Sequence, residues 1–407
     1  MQKGDTSGPQ PNASAQEDLT RRAEVAVVGA GPAGATAALH LARRGRDVLL
    51  VDRHDFPRDK ACGDGLIPDT LEACRRAGVY DEVVRRGRRV TRADIFSPSR
   101  HGFGVEGEYV VLKRHEFDAL LVEAALAEGA RFMRGKASTI ETGSSGVRIG
   151  LGKDAGSVEA GYAVLATGAD TSLVESLHAV ERKAPSAVAI RRYVRSTHDV
   201  DSLVVSYDHS ILPGYAWIFP TGDGECNVGC GVAYSRPDAE EVDLRAALER
   251  FLDGFPQARD LMENATENGP VRGARLRCGL GGVRPRAAER VLAAGETLGT
   301  TFPFTGEGIG KAMETGEAAS QVLDEALAHR DPGRLSQYPN QIEALRPKYL
   351  GYELAERWLA RPFLNDLLAR RVSRSAYLQD QLSGIINETA DPAAVFSFRG
   401  LVRSLVS

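Results

Sequence analysis

The stretch that decides the fold is Val25-Ala-Val-Val28 followed directly by Gly29-Ala-Gly31-Pro-Ala-Gly34. The continuous apolar run predicts a buried parallel strand, and the proline after it suits the first turn of a helix. The glycines have the spacing Gly-x-Gly-x-x-Gly at this strand-to-helix turn. The first permits a tight turn, the second lets backbone approach a pyrophosphate, and the third lets the helix pack close to the sheet.

An acidic residue follows at the distance that this turn requires. Val48-Leu-Leu-Val51 predicts the next strand, and Asp52 ends it 18 residues after Gly34, placed to accept a hydrogen bond from a ribose hydroxyl. The helix N-terminus offers unpaired N–H groups to an anion. Together these features predict a dinucleotide site. The motif alone does not distinguish NAD from FAD, and an ordinary tight turn remains the alternative.

The remaining patterns divide the chain into interleaved parts. Apolar runs at 163–166 and 291–294 predict further buried strands, and we expect helices over 116–128 and 307–328. Alternation over 90–112 and 187–234 is typical of antiparallel strands, with a hairpin turn at Asp223-Gly224. We predict a tail over 1–22, a nucleotide-binding domain over 23–89, 111–180 and 271–330, an antiparallel substrate domain over 90–110 and 181–270, and a helical region over 331–407.

Composition excludes several classes of protein. The formal charge of −4 gives no electrostatic footprint for nucleic acid. Five scattered cysteines favour a reducing compartment without a disulfide framework, and their spacing gives no zinc site, so no metal is expected. The N-terminal stretch lacks the apolar run of a signal peptide. We therefore expect a cytoplasmic protein.

The sequence Lys60-Ala-Cys62-Gly63-Asp64 closely resembles the Lys-x-Cys-Gly-Gly stretch of the geranylgeranyl reductase family, whose members are FAD enzymes of the p-hydroxybenzoate hydroxylase fold. The resemblance extends over roughly residues 24–328. Four further stretches agree in the family's order: Arg114-His-Glu-Phe117-Asp118, Ala166-Thr-Gly168-Ala-Asp170, Tyr215-Ala-Trp217-Ile-Phe219-Pro220 and Pro303-Phe-Thr-Gly306-Glu307-Gly308-Ile309.

The resemblance implies an α/β fold in which a Rossmann-like FAD-binding domain is interleaved with an antiparallel substrate domain. It also implies a set of site residues. Tyr215, Trp217 and Phe219 would line the substrate cavity, and Cys62, Tyr215 and Trp217 would be catalytic. The residues implied to bind FAD are Gly29, Gly31, Ala33, Gly34, Asp52, Arg53, Lys60, Cys62, Arg114, Gly168, Glu296, Gly306, Gly308 and Ile309.

The chemistry of these residues supports some roles and leaves others open. Gly306 and Gly308 precede a helix, whose N–H groups and positive dipole end would stabilise negative charge on a reduced flavin. Cys62 is either an inert small thiol or a group beside the flavin that donates a proton or positions substrate; a redox thiol would need a resolving partner. For Tyr215 and Trp217 the alternative is ordinary packing within a sheet.

Several positions depart from the family pattern. Glu296 stands where the family has an aspartate that binds the ribityl chain, and it reaches one methylene further. Asp64 replaces the second glycine after the cysteine and puts a carboxylate close to the expected flavin. Asp170-Thr171 replaces an Asp-Gly turn. These changes are compatible with FAD binding and bear mainly on substrate and reductant.

The leading functional prediction is an FAD-dependent oxidoreductase that reduces carbon–carbon double bonds of an isoprenoid or similarly hydrophobic substrate, by hydride transfer from reduced flavin. The alternative is a monooxygenase or halogenase of the same fold, and a third class is a non-catalytic flavin-binding protein. No second strand–glycine–helix motif is present for a nicotinamide cofactor. We therefore expect NADPH to bind transiently, or an electron-donor protein or reductase to supply electrons. Amphipathic segments with arginine over 349–405 predict either core packing or peripheral membrane contact.

Overall fold

In the computed structural model, residues 21–400 are described except for 153–154, 178–184, 236–238, 240, 281–289 and 398–399. The strands are β1 (Arg22–Val28), β2 (Val48–Asp52), β3 (Gly65–Leu66), β4 (Arg88–Phe96), β5 (Gly102–Val111), β6 (Arg131–Arg134), β7 (Ala137–Gly143), β8 (Gly146–Leu151), β9 (Ser157–Leu165), β10 (Ala187–Ser196), β11 (Leu203–Ser206), β12 (Gly214–Gly222), β13 (Glu225–Ala233), β14 (Ala265–Asn268), β15 (Arg272–Leu276) and β16 (Val291–Ala293).

Helices connect and cover these strands. They are α1 (Pro32–Arg43), α2 (Pro68–Ala77), α3 (Tyr80–Arg86), α4 (Arg114–Ala127), α5 (Ser172–Ser176), α6 (Leu244–Gly254), α7 (Pro256–Glu263), α8 (Ile309–His329), α9 (Tyr338–Glu343), α10 (Arg346–Leu359), α11 (Pro362–Val372), α12 (Ala376–Ile386) and α13 (Ala393–Phe396). Short 3₁₀ helices cover Gly295–Leu298 and Pro332–Gln337. Among the described helices, none is both long and apolar enough to cross a bilayer.

The first sheet is the nucleotide-binding one, with strand order β6-β2-β1-β9-β8-β7 and with β16 paired to β9. β1 pairs in parallel with both β2 and β9, and β16 is also parallel to β9. Continuous apolar runs suit these strands because helices cover both faces of a parallel sheet. Their carboxyl ends therefore meet at one edge, where α1 begins.

The second sheet has the order β14-β10-β13-β12-β11-β4-β5-β3, and β15 also pairs with β10. Its pairings are antiparallel as predicted, except that β11 runs parallel to β4. Asp223 and Gly224 both have positive φ in the β12–β13 turn, which confirms the predicted hairpin. On β12, Ala216 and Ile218 pack with α6 and α7 in a separate core. The alternate residues of β12 face the other side.

Three predicted boundaries were wrong in detail. The predicted tail over 1–22 overlaps β1, which already includes Arg22; residues 1–20 lie outside the described part. β15, which we assigned to the nucleotide-binding domain, pairs with β10 in the second sheet. The helix predicted from Glu307 begins at Ile309, because Gly308 still has non-helical dihedral angles. The predicted C-terminal helices are present through α13, and 401–407 lie outside the described residues.

Candidate active site

The strand-to-helix turn after β1 is shaped by glycine backbone packing. Gly29 has φ +99°, and a Cβ there would lie 2.2 Å from the carbonyl oxygen of Ala166. A Cβ on Gly34 would lie 1.8 Å from the carbonyl oxygen of Gly29. At Gly31, by contrast, a Cβ would meet only the Arg58 guanidinium, at 3.6 Å. The two outer glycines close the turn, while the middle one leaves open space beside the N-terminus of α1.

This open space fits the pyrophosphate of a dinucleotide. Gly31 caps α1 without any side-chain hydrogen bond, so the first N–H groups of the helix stay available to an anion. Ala33 lies in the same first turn and also forms the contact with α8, because a Cβ on Gly316 would lie 2.2 Å from its carbonyl oxygen. Lys60 and Arg53 line the same cavity.

The two acids predicted to meet ribose and ribityl hydroxyls both hold backbone as well. Asp52 Oδ2 accepts a hydrogen bond from the Ala30 N–H at 2.8 Å, and its Oδ1 accepts from the His54 N–H at 2.9 Å. Glu296 Oε1 accepts from the Arg277 N–H at 3.2 Å. A Cβ on Gly168 would lie 3.7 Å from the other oxygen of Glu296, so the ends of β9 and β16 come together here.

The loop before α8 joins the cofactor side to the aromatic strand. Gly306 has φ +69°, and a Cβ there would lie 3.0 Å from the hydroxyl oxygen of Tyr215. That hydroxyl donates a hydrogen bond to the carbonyl oxygen of Thr305. Gly308 caps α8 without a side-chain bond, so N–H groups of the first turn, which begins at Ile309, remain available.

Tyr215, Trp217 and Phe219 form an aromatic row on the cavity side of β12. Their ring centroids are 5.9 Å and 6.3 Å apart along the strand. The Cys62 loop packs onto this row, since a Cβ on Gly63 would lie 3.2 Å from the Phe219 ring and 3.5 Å from Trp217 Nε1. The structure therefore brings together the predicted substrate wall, the cysteine and the flavin-side loop.

The environment of Cys62 keeps its thiol protonated. Burial raises the pKa of Cys62, and the neighbouring Arg114 guanidinium opposes this rise. Arg114 itself forms two hydrogen bonds with Asp118, at 2.6 Å and 2.9 Å, and Arg58 pairs with the same carboxylate at 3.0 Å. The arginine predicted to lie near FAD is thus fixed in place. All five cysteines are free.

Asp64 is the centre of a buried hydrogen-bond network. Its Oδ2 accepts from the Tyr193 hydroxyl and from Asn227 Nδ2, both at 2.7 Å, and its Oδ1 accepts from the Arg114 N–H at 3.1 Å. Asn227 also donates to the Cys62 carbonyl oxygen at 2.7 Å and accepts from Trp217 Nε1 at 3.0 Å. One carboxylate therefore links the cysteine loop, the aromatic row and the start of α4.

The backbone of Asp64 explains why a glycine fits this position in the family pattern. Its φ is +66°, in the left-handed region, where aspartate is tolerated better than most other side chains. Burial raises the pKa of Asp64, and the hydrogen bonds from Tyr193 and Asn227 oppose the rise. The sequence drew attention to Asp64 as a departure, but Tyr193 and Asn227 carried no motif and were missed.

The cavity that joins these groups has a volume of about 820 Å³, within the usual range for small-molecule sites. The C-terminal helices form a wall that we did not predict. Residues from α10, α11, α12 and α13 line the cavity, among them Tyr352, Glu356, Asn365 and Leu382. Among the described residues, no cluster of side chains could hold a metal ion.

A glycine-built dinucleotide cradle that opens into an aromatic-lined cavity defines the class of protein, a nucleotide-cofactor oxidoreductase. Residues 22–217 match the family model of an FAD-binding domain, and residues 186–266 match that of the geranylgeranyl reductase catalytic domain. The chain is 33% identical over 332 residues to a menaquinone reductase of Mycobacterium tuberculosis, covering 77% of this chain and 78% of that protein. It therefore belongs to the geranylgeranyl reductase family of FAD-dependent oxidoreductases.

More distant relatives agree with this family and fold. A digeranylgeranylglycerophospholipid reductase of Methanopyrus kandleri is 29% identical over 345 residues, which cover 81% of this chain and 85% of that relative. A geranylgeranyl bacteriochlorophyll reductase-like protein from Thermoplasma acidophilum superposes with a TM-score of 0.78 at 22% identity, over 95% of this chain and 99% of that one. A flavin-dependent brominase has a TM-score of 0.75 at 16% identity, over 95% and 98% of the two chains.

Proposed function

We propose that this FAD-dependent reductase saturates carbon–carbon double bonds in the isoprenoid part of a hydrophobic substrate. The observation that carries the proposal is the aromatic row of β12, which lines an apolar cavity and is bonded to the flavin-side loop through Tyr215 and Thr305. Bound FAD, once reduced, supplies a hydride to one alkene carbon. The apolar walls would exclude water from the reacting double bond.

The residues of this chain contribute binding and a proton. Tyr215, Trp217 and Phe219 would hold the prenyl chain along the row, which is fixed from behind by Asn227 and Asp64. Cys62 holds a proton on Sγ, and the adjacent Arg114 would stabilise the thiolate left after that proton moves to the second alkene carbon. A hydride on one carbon and a proton on the other balance the saturation of the double bond.

Anaerobic photoreduction of the bound flavin tests this proposal. Addition of a geranylgeranyl compound should restore the oxidised flavin spectrum without oxygen, with the saturated prenyl product detectable by mass spectrometry. A Cys62→Ala variant should retain FAD but reoxidise more slowly, by roughly 10²-fold or more if the thiol is the proton donor. Cys74→Ala, which removes a buried thiol on α2, is the matched control and should leave this rate unchanged.

The alternative within the same fold is an oxygen-using flavoenzyme. The superposition with a brominase supports the fold alone, whereas the match of 186–266 to the reductase catalytic domain favours the reductase. Oxygen uptake that depends on substrate would contradict our proposal and support the alternative. Lack of flavin uptake by the purified protein would contradict both and support a non-catalytic protein.

The electron donor and the cell surface contact are also proposals. We propose that NADPH or a donor protein reduces the flavin transiently, which stopped-flow mixing of the oxidised enzyme with NADPH tests directly. We also propose that α11 contacts a membrane surface peripherally, because Phe363 is 75% exposed and Leu367 is 37% exposed on a helix whose last turn carries Arg370 and Arg371. Sedimentation with anionic vesicles, compared for wild type and Phe363→Ser, tests the second proposal.

A further inference from the structure

A buried carboxylate with an unused oxygen lies in the C-terminal wall of the cavity. Glu356, on α10, is 9% exposed and lines the cavity. Within the described part of the chain, its Oε1 atom has no hydrogen-bond partner. Buried carboxylate oxygens are normally satisfied by donors, because an unpaired one loses its hydration without compensation. This oxygen is therefore a candidate acceptor for a ligand.

The neighbouring polar groups leave further acceptor capacity at the same wall. The hydroxyl of Ser235, just beyond β13, donates to the Glu356 carboxylate. Asn365, on α11, is 5% exposed and lines the cavity too. Its Nδ2 donates to the Leu359 carbonyl oxygen at 3.2 Å, and no bond to its Oδ1 occurs among the described residues. Two acceptor atoms thus remain for a donor on the ligand.

These groups lie beyond the flavin side of the cavity, along α10. Tyr352 stacks on Phe302 with centroids 4.1 Å apart, and Phe302 is bonded through its N–H to Glu307 in the flavin-side loop. Glu356 is one helical turn further along α10. A substrate whose double bond lies at the flavin-side loop could therefore extend its polar end to Glu356.

No matched cation neutralises Glu356. Burial raises the pKa of its carboxyl, with Ser235 opposing and Glu353 reinforcing the rise. Arg357 is exposed and is paired with Glu353 at 4.0 Å. A phosphate at this wall would put a second negative group beside a buried acid, which is unfavourable. A hydroxyl would instead satisfy an unused acceptor.

We propose that Glu356 and Asn365 form a subsite for a hydroxyl group at the polar end of the substrate. The substrate class is then a prenyl compound with a neutral hydroxyl, an alcohol or a phenol, rather than a phosphate or diphosphate ester. This inference rests on the proposed function, since it assumes that the prenyl chain lies along the aromatic row.

Binding of two matched probes tests the subsite. Geranylgeraniol and geranylgeranyl diphosphate are titrated into the oxidised holoenzyme, and their Kd values are read from the change in the flavin absorbance spectrum. We expect the wild type to bind the alcohol at least about tenfold more tightly, the scale of one hydrogen bond to a charged group. In Glu356→Gln, which keeps the shape and removes the charge, this preference should fall about tenfold.

Glu353→Gln is the matched control, because it removes a neighbouring carboxylate that is already paired with Arg357, and its preference should equal that of the wild type. Equal wild-type Kd values for the two probes, or a preference unchanged in Glu356→Gln, would overturn the subsite. The wild-type ratio alone decides the matter if the variant does not fold. Anaerobic reoxidation is measured in parallel: if neither probe reoxidises the flavin while the binding preference holds, the proposed reaction fails and the subsite stands.

Discussion

The dinucleotide cradle and the aromatic wall border one cavity, but they are built in different ways. In the cradle, the decisive contacts join backbone atoms, as between Gly34 and the carbonyl oxygen of Gly29. In the wall, the decisive contacts are polar side-chain bonds behind the aromatic row, centred on Asp64 and Asn227. The cradle therefore tolerates almost no added atom, whereas the wall depends on the correct pairing of donors and acceptors.

The largest expected effect is in the cradle. Gly34→Ala would put a methyl group 1.8 Å from the Gly29 carbonyl oxygen, so α1 must move away from β1. We expect purified protein with little bound FAD and a loss of about 4 kcal/mol or more in the free energy of unfolding. Flavin absorbance and urea unfolding measure the two effects. Gly143→Ala, where a Cβ has only one atom at 4.0 Å, is the control and should behave as wild type. Full FAD content in Gly34→Ala would contradict the steric account.

The next effect is in the wall and follows from hydrogen bonding rather than from sterics. Asp64→Asn would place an amide N–H₂ group opposite either the Tyr193 and Asn227 donors or the Arg114 N–H. We expect a loss of about 2–3 kcal/mol in the free energy of unfolding, because buried donors are left unpaired. Urea unfolding of the holoprotein measures this loss.

Asp223→Asn is the control for Asp64→Asn, since Asp223 also has positive φ but lies in an exposed hairpin turn. It should change the unfolding free energy by less than about 0.5 kcal/mol. An equal loss in both variants would mean that the left-handed backbone, rather than the network, makes Asp64 important.

A smaller effect lies where the two regions meet. Tyr215→Phe removes the hydroxyl that donates to Thr305 and leaves that carbonyl oxygen unpaired. We expect a loss of about 1 kcal/mol and a change in the flavin absorbance spectrum, since the flavin-side loop is no longer held. Tyr207→Phe keeps a ring that stacks on Phe304, and its hydroxyl has no bond among the described residues, so its spectrum should match the wild type. Identical spectra in all three proteins would show that the two regions are independent.

The smallest effect concerns a buried acid on α2, behind both regions. Burial raises the pKa of Asp69 to about 6, although Lys311 opposes the rise. Because the folded-state pKa lies above the unfolded value near 3.9, ionisation disfavours the fold; the penalty is absent below about pH 4 and complete above about pH 6.

Asp69→Asn should therefore be more stable than wild type by about 1 kcal/mol at pH 7.5, with a smaller difference at pH 4.5. Urea unfolding at the two pH values measures the change, and Asp253→Asn, an exposed acid on α6, is the control. A stability difference that does not depend on pH would show that the ionisation of Asp69 is not its cause.

The same contrast explains what could be predicted from the sequence. The cradle was predictable because its residues are contiguous and the requirement for glycine at positions 29 and 34 is local. The aromatic row was predictable from the two-residue period of a strand. The boundary at β15 was missed because short strands pair according to tertiary contacts, not local pattern. Tyr193, Asn227 and Glu356 were missed because their partners lie far away in the sequence.

The C-terminal wall of the cavity also bears on how such a protein can diverge. α10 to α13 supply side chains to the cavity, yet they follow every segment of the cradle in the chain. Substitutions at the end of the gene could therefore alter which molecules enter, while the cofactor site kept its geometry. Exchanging this terminal segment between relatives should be a direct route to new substrate preferences on an unchanged flavin platform.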